Sequence, residues 1–224
     1  MLAGRQVQDD VFKGYTGMNF NQIDHLLYGG PDLTLASQEI NHLMGMAPIT
    51  GGSHPGKGTR NELLGLSHGA YLEVIGPDAS QQVAATWMDV DQFPENRLFR
   101  WAAKCNDLEA LVEKAKSAGI DLGDIQSGQR QKPDGSLLTW RLTNPDVLLG
   151  DGLIPFFIDW GENGNPTPTL PHAGEILDFY GSHPEPEPIQ EMLNALEIDL
   201  EVKKAAHAGL VAQLSVPNGI INLS

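Results

Sequence analysis

Three stretches of the chain repeat one order of apolar and polar positions. In the first, Ile23, Leu26 and Leu27 lie in a short β-compatible run ended by Gly29-Gly30-Pro31. Leu33, Ala36, Ile40, Leu43 and Met44 then recur at helical spacing, with Gly45 as C-cap. Gly51 to Gly58 reads as a loop or a strand edge. Residues 61–66 and 70–75 read as strands around a Ser67-His68-Gly69 turn. In the second stretch, 98–104 is a strand, and Asn106 to Glu109 forms a capping box with Asn106 as the cap. Leu108, Leu111, Val112 and Ala115 give a helical stripe closed by Gly119. A Pro133-Asp134-Gly135 turn and strands over 137–143 and 153–160 follow. The third stretch offers a strand over 175–180 and a helix carrying Ile189, Met192, Leu193 and Leu196. Pro184, Pro186 and Pro188 stand before or in that helix's first turn, where proline is tolerated. Strands over 199–202, 209–216 and 219–223 complete it.

The apolar strand entries match as well: His68-Gly69, Asp151-Gly152 and Asn218-Gly219 each put a polar residue and a glycine before an apolar run. Three such entries at one place in a repeated order argue for an internal repeat. The expected organisation is an arm over 1–19, paired strand–helix–three-strand units over 20–78 and 97–161, and a third unit over 172–224. Residues 78–96 read as an irregular connection, and 161–171, rich in Gly, Asn and Pro, as a linker.

Composition narrows the partners. The 224 residues, 41% hydrophobic and 19% charged, are enough for a sizeable core. Twenty-nine acidic residues against 14 basic give a net charge of −15, which argues against nucleic acid. No apolar run has the length of a membrane span. The single cysteine, Cys105, allows a reducing compartment, and the first 19 residues lack the core of a secretory signal, so a cytoplasmic protein is expected. The Gly51 to Gly58 segment lacks the Gly-Lys-Ser/Thr ending of a P-loop.

Five motifs carry a likeness: Ile23-Asp24-His25-Leu26, Gly51-Gly52-Ser53-His54, Gly58-Thr59-Arg60-Asn61, Tyr71-Leu72-Glu73-Val74 and Pro155-Phe156-Phe157-Ile158-Asp159-Trp160. In their order they resemble the vicinal oxygen chelate superfamily, and more narrowly a glyoxalase-like domain protein. The resemblance implies an α+β fold in which paired βαβββ modules form one curved mixed sheet around a cup, here with a third βαβββ-like unit. It also implies a divalent metal, Zn, Fe, Mn or Ni, chelating a small oxygenated substrate, and a homodimer is among the assemblies it allows. Fold alone does not choose a reaction.

His25 and Glu73 fall on the superfamily's first two ligand positions, so both are expected to point into the cup. A buried His–Glu hydrogen bond is the alternative account of the pair. His54 is a candidate third ligand or acid/base group, or else a solvated loop histidine. Glu73 is a ligand and a candidate base. Arg60 and Asn61 are candidates to orient a substrate carbonyl or carboxylate. In the second unit the residue matching His25 is Arg100 or Trp101, and counting from the glycine entry matches Glu73 with Phe156. Neither supplies a good ligand, and Asp159 is the nearest carboxylate. Arg100 pointing inward would replace the metal's charge and bind an anionic substrate. Trp101, Trp140, Phe156, Phe157 and Trp160 suit a cup wall and ordinary packing equally. Two functions stand at this point: a metal-dependent lyase or isomerase, and a metal-free small-molecule binding protein using the same cup.

Overall fold

A computed structural model describes residues 18–85, 87–131 and 135–224. The arm expected over 1–19 lies outside these residues except for its last two, as do Pro133 and Asp134 of the expected turn. The first unit runs β1 (Ile23–Gly29), α1 (Leu33–Met44), β2 (Ile49–His54), β3 (Thr59–Leu66) and β4 (Tyr71–Pro77). The second runs β5 (Arg97–Lys104), α2 (Leu108–Ser117), β6 (Gln126–Gln131), β7 (Leu137–Leu142) and β8 (Phe156–Asp159). The third runs β9 (His172–His183), α3 (Pro186–Ala195), β10 (Val202–Lys204), β11 (Gly209–Val216) and β12 (Gly219–Leu223). Among the described residues, no helix is long and apolar enough to cross a membrane.

Strand pairing produces the paired modules. In each of the first two units the first strand lies parallel to the last: β1 beside β4, and β5 beside β8. The units join where β1 runs antiparallel to β5. The sheet order is β12-β11-β9-β3-β4-β1-β5-β8-β7-β6, with β2 on β3 and β10 on β9. This is the large curved mixed sheet that the resemblance implies. The third unit repeats the order of elements but not the pairing, because β9 has β11 antiparallel on one side and a parallel β3 and β10. It extends the sheet rather than building a second cup.

Alternation along the strands separates two apolar faces. Ile23, Leu26, Leu72, Trp101, Ala103 and Phe157 pack under the helices with Ile40 and Met44 of α1, Leu108 of α2 and Leu193 of α3. Leu27, Ala102, Leu138, Trp140, Phe156 and Ile158 form a smaller inner cluster. Helix α1 starts where Asp32 accepts from the Thr34 and Leu35 N–H groups and ends on Gly45 in the left-handed region at φ 73°. Helix α2 departs from expectation: Asp107, not Asn106, caps it by accepting from Ala110 N. The expected strand over 153–160 begins only at Phe156, since Gly150–Gly152 is a tight turn that leaves Leu153 in helical geometry. His68 and Asp151 both take φ above 50° before their glycines, so those two entries are equivalent turns. Asn218 is part of the connection between β11 and β12, which pair antiparallel at Val216 and Gly219.

Candidate functional site

His25 and Glu73 meet as their strand positions require. His25 pairs with Tyr71 across β1 and β4, and Glu73 lies two residues further on the same face. His25 Nε2 is 3.3 Å from Glu73 Oε2, and both side chains are over nine-tenths buried. On its other side, His25 Nδ1 is 2.8 Å from Asp24 Oδ1. The remaining Asp24 oxygen accepts from Trp160 Nε1 at 3.0 Å and Asn165 Nδ2 at 3.3 Å. This network fixes the imidazole ring, with Nδ1 against Asp24 and Nε2 against Glu73. Tyr71 stacks on the imidazole at 4.7 Å, and the Phe156 ring edge lies 5.6 Å away. Burial, with Asp24 and Glu73 nearby, raises the Tyr71 hydroxyl pKa well above its ordinary value.

His54 ends β2 and is buried, not solvated. Its Nδ1 is 3.0 Å from Thr59 Oγ1, and its Nε2 is 3.3 Å from Asn61 Nδ2 and 3.8 Å from Glu73 Oε1. Burial pushes the His54 pKa down to about 4; Arg130 and His25 lower it further, against the pull of Glu73 and Asp78. His54 is therefore a neutral imidazole at pH 7, its Nε2 facing the Asn61 amide and, behind it, the carboxylate. Asn61 Nδ2 donates to Glu73 Oε1 at 2.7 Å and so bridges Glu73 and His54. Arg130 of β6 donates to Asn61 Oδ1 at 3.5 Å, fixing which way the amide turns. Gly51 permits this closure, because a Cβ there would lie 2.2 Å from Asn61 Oδ1 and 2.4 Å from Arg130 Nη1.

Two imidazole Nε2 atoms and a carboxylate thus converge. A lone pair against an ionised carboxylate at 3.3 Å is repulsive unless a proton or a cation lies between them. Neutral histidine nitrogens and a carboxylate are donors that divalent ions accept. As placed, among the described residues, no three His, Cys, Asp or Glu side chains are set to hold an ion together. The Asn61 amide occupies the gap between His54 and Glu73. His25 Nε2 and Glu73 Oε2 are thus two metal-donor types side by side, with His54 beyond the Asn61 amide.

Four expected residues lie elsewhere. Arg60 alternates with Asn61, and its neighbour on that outer face, Glu62, accepts from Ser37 of α1, so Arg60 is directed away from the cup. Trp101 and Phe157 alternate onto the helix-covered face, where Trp101 Nε1 donates to Leu153 O at 2.9 Å. Arg100 is buried, but its guanidinium donates to Pro145 O and to Val147 O, tying down the 145–147 loop away from His25. Burial lowers its pKa to about 10. The residue opposite His25 on β5 is Ala102. The glycine count also misplaces β8: Phe156 pairs with Ala102 as Tyr71 pairs with His25, so Ile158 stands where Glu73 would. The second half-site is apolar, and Asp159 caps the following turn through Gly161 N.

Three residues of the site go unassigned from sequence, Arg130, Asp24 and Trp87, whereas Trp140 and Trp160 line the cup. Arg130 sits in Gln126–Gln131, a strand of polar residues and glycine with no apolar alternation to betray which side faces inward. Asp24 did carry a signal, as a carboxylate in an apolar run. Trp87 meets the His54 ring edge at 4.6 Å. It lines, with Trp140 and Trp160, both an inner cavity of about 20 Å³ and an outer cleft of about 660 Å³.

A family model described as Glyoxalase-like domain matches residues 23–197. No curated protein matches the chain. Among solved structures, a hypothetical protein from Staphylococcus aureus superposes with TM-score 0.58 at 18% identity, covering 89% of this chain and 83% of that one. Methylmalonyl-CoA epimerase from Mycobacterium tuberculosis gives TM-score 0.37 at 19% identity, over 64% of this chain and 89% of that one. A Streptomyces coelicolor methylmalonyl-CoA epimerase variant in complex with 2-nitronate-propionyl-CoA gives 0.39 at 18% identity, over 61% and 95%.

Proposed function

The chain belongs to the glyoxalase-like domain family, and on that footing we propose that it is an enzyme of lyase or isomerase type that moves a proton on a small oxygenated substrate. The observation that carries this reading is the approach of His25 Nε2 to Glu73 Oε2, 3.3 Å apart in a buried cavity with room for one small group. Glu73 takes the proton, with Asn61 holding the oxygen that does not react. His54 is the neighbouring relay, neutral at pH 7 and able to accept at Nε2. Asp24 holds the His25 ring in place through Nδ1, leaving Nε2 directed inward. His25, Glu73 and His54 are the residues that would hold a divalent ion, Zn, Fe, Mn or Ni; when bound, it would supply Lewis-acid polarisation of a substrate carbonyl.

Deuterium uptake from D2O into hydroxyacetone, followed by NMR, tests the proton transfer. Glu73→Gln should lower the rate at least about 100-fold, as loss of a general base does. Metal content of protein purified without chelator or affinity metal, beside His25→Ala, tests the ion. A second reading, a metal-free binding protein, is favoured by the apolar half-site of Ala102, Phe156 and Ile158. It predicts no exchange in the natural protein and no metal lost on His25→Ala.

A further inference from the structure

The inner cavity and the outer cleft differ more than thirtyfold in volume, about 20 Å³ against about 660 Å³. The inner one holds a single water-sized group. The outer one is of the size that binds whole small molecules. They share His54, Trp87, Trp140, Leu142 and Trp160, so they adjoin across these side chains. A substrate too large for the inner cavity would keep its body in the cleft and extend only a small oxygen-bearing end toward Glu73.

The walls of that cleft have a chemistry of their own. Trp140 and Trp160 pack together at 5.1 Å, tilted by 51°. Trp140 lies over Gly128, where a Cβ would fall 2.2 Å from its Nε1, so the glycine is what lets the indole lie there. On the other side stands Trp87, with Lys57 Nζ 5.7 Å from its ring centroid. Trp87 Nε1 is buried and has no hydrogen-bond partner among the described residues. A buried donor left unmade is costly, and a ligand oxygen would satisfy it. The cleft's charges balance: Lys57 and Arg141 stand against Asp159 and Glu162, and Arg141 is already paired with Glu109.

We infer that the outer cleft is a binding site for a flat aromatic, uncharged substrate body carrying an oxygen, its ring face against Trp140 and Trp160 and an oxygen accepting from Trp87 Nε1–H. Indole faces favour a π-system over a saturated ring of equal size. Among the described lining residues, a polyanion would meet Lys57 and an Arg141 already paired, in a molecule of net charge −15. The inference deepens the proposed function, resting on it only in taking His25 and Glu73 as the reacting end.

Calorimetry on the full-length protein with 2-naphthol, decahydro-2-naphthol and acetyl-coenzyme A tests it without requiring turnover. 2-Naphthol should bind about tenfold tighter than its saturated counterpart, and acetyl-coenzyme A more weakly than 2-naphthol. Gly128→Ala, which displaces Trp140, and Trp140→Leu should each erase the aromatic preference. Trp87→Phe should weaken 2-naphthol severalfold while leaving naphthalene unchanged. Equal affinity for the aromatic and saturated alcohols overturns the inference, as does no binding of 2-naphthol at 1 mM or tighter binding of acetyl-coenzyme A. The comparison on the natural protein decides the matter even where a variant fails to fold. Aromatic preference without deuterium exchange would sink the proposed chemistry alone; exchange without aromatic preference would sink this site alone.

Discussion

His54 ties the buried site to pH. Its pKa is lowered from 6.5 to about 4, chiefly by burial. Between those values the unfolded chain binds a proton that the folded chain does not. The contribution is thus fully present above pH 6.5 and is lost as pH falls toward 4, on the order of 3 kcal/mol in all. Urea midpoints in chelator at pH 7 and pH 4.5 should fall further for the natural protein than for His54→Gln; equal falls would show that His54 does not carry the effect. At this scale the sequence revealed half the site. A histidine and a glutamate in apolar strands were visible because such residues need a partner when buried. Arg130 and Ala102 were not. Register shifts between Ile23 and His25 and between Leu27 and Tyr28 break the count across β1 and β5. Residues 154 and 155 add to the turn before β8, moving Ile158 to the position that mirrors Glu73. A one-residue error in a strand turns a side chain to the other face, which removes Trp101 from the cup; Arg100, opposite Leu27, is instead drawn off to Pro145 O and Val147 O.

Helices and hairpins were more legible than the strands between them. The stripe and Gly45 of α1 and the prolines of α3 lie where their spacing put them. The start of α2 was displaced by one residue because two good capping residues, Asn106 and Asp107, stand side by side. Asp107 wins by accepting from Ala110 N at 2.9 Å. Asp107→Ala should therefore cost about 1 kcal/mol, and Asn106→Ala much less. Chemical denaturation of both variants checks this, and the reverse ranking would restore Asn106 as the cap. For a physical reason, the sequence does not decide between loop and strand edge for the β2–β3 hairpin. Its glycines weaken any strand signal, yet they make room for the cup: Gly51 lies under Asn61 and Arg130.

Across the whole molecule, the third unit is built into the core of the other two. Strand β9 pairs with β3 at Gly65–His172 and Leu66–Gly174. Phe179 meets the fully buried Trp101 edge-on at 5.3 Å. Ser224 is engaged too, since Leu98 N donates to Ser224 O at 3.0 Å. One apolar cluster runs through all three units, from Ile23 and Trp101 to Phe179, Leu193 and Leu214. A unit that shares its core has no separate stability to lose, so it should unfold together with its neighbours. The four tryptophans make this measurable, because Trp87, Trp101, Trp140 and Trp160 all lie before residue 172. Their fluorescence reports on the first two units, whereas far-UV circular dichroism reports on every helix and strand. In urea the two signals should give one coincident transition. Phe179→Ala should move both together, by about 3–5 kcal/mol, as a large buried ring removed from a core does. If circular dichroism instead fell first, with fluorescence unchanged, the third unit would be an independent appendage. The Trp101–Phe179 contact would then be incidental to how the cup is held.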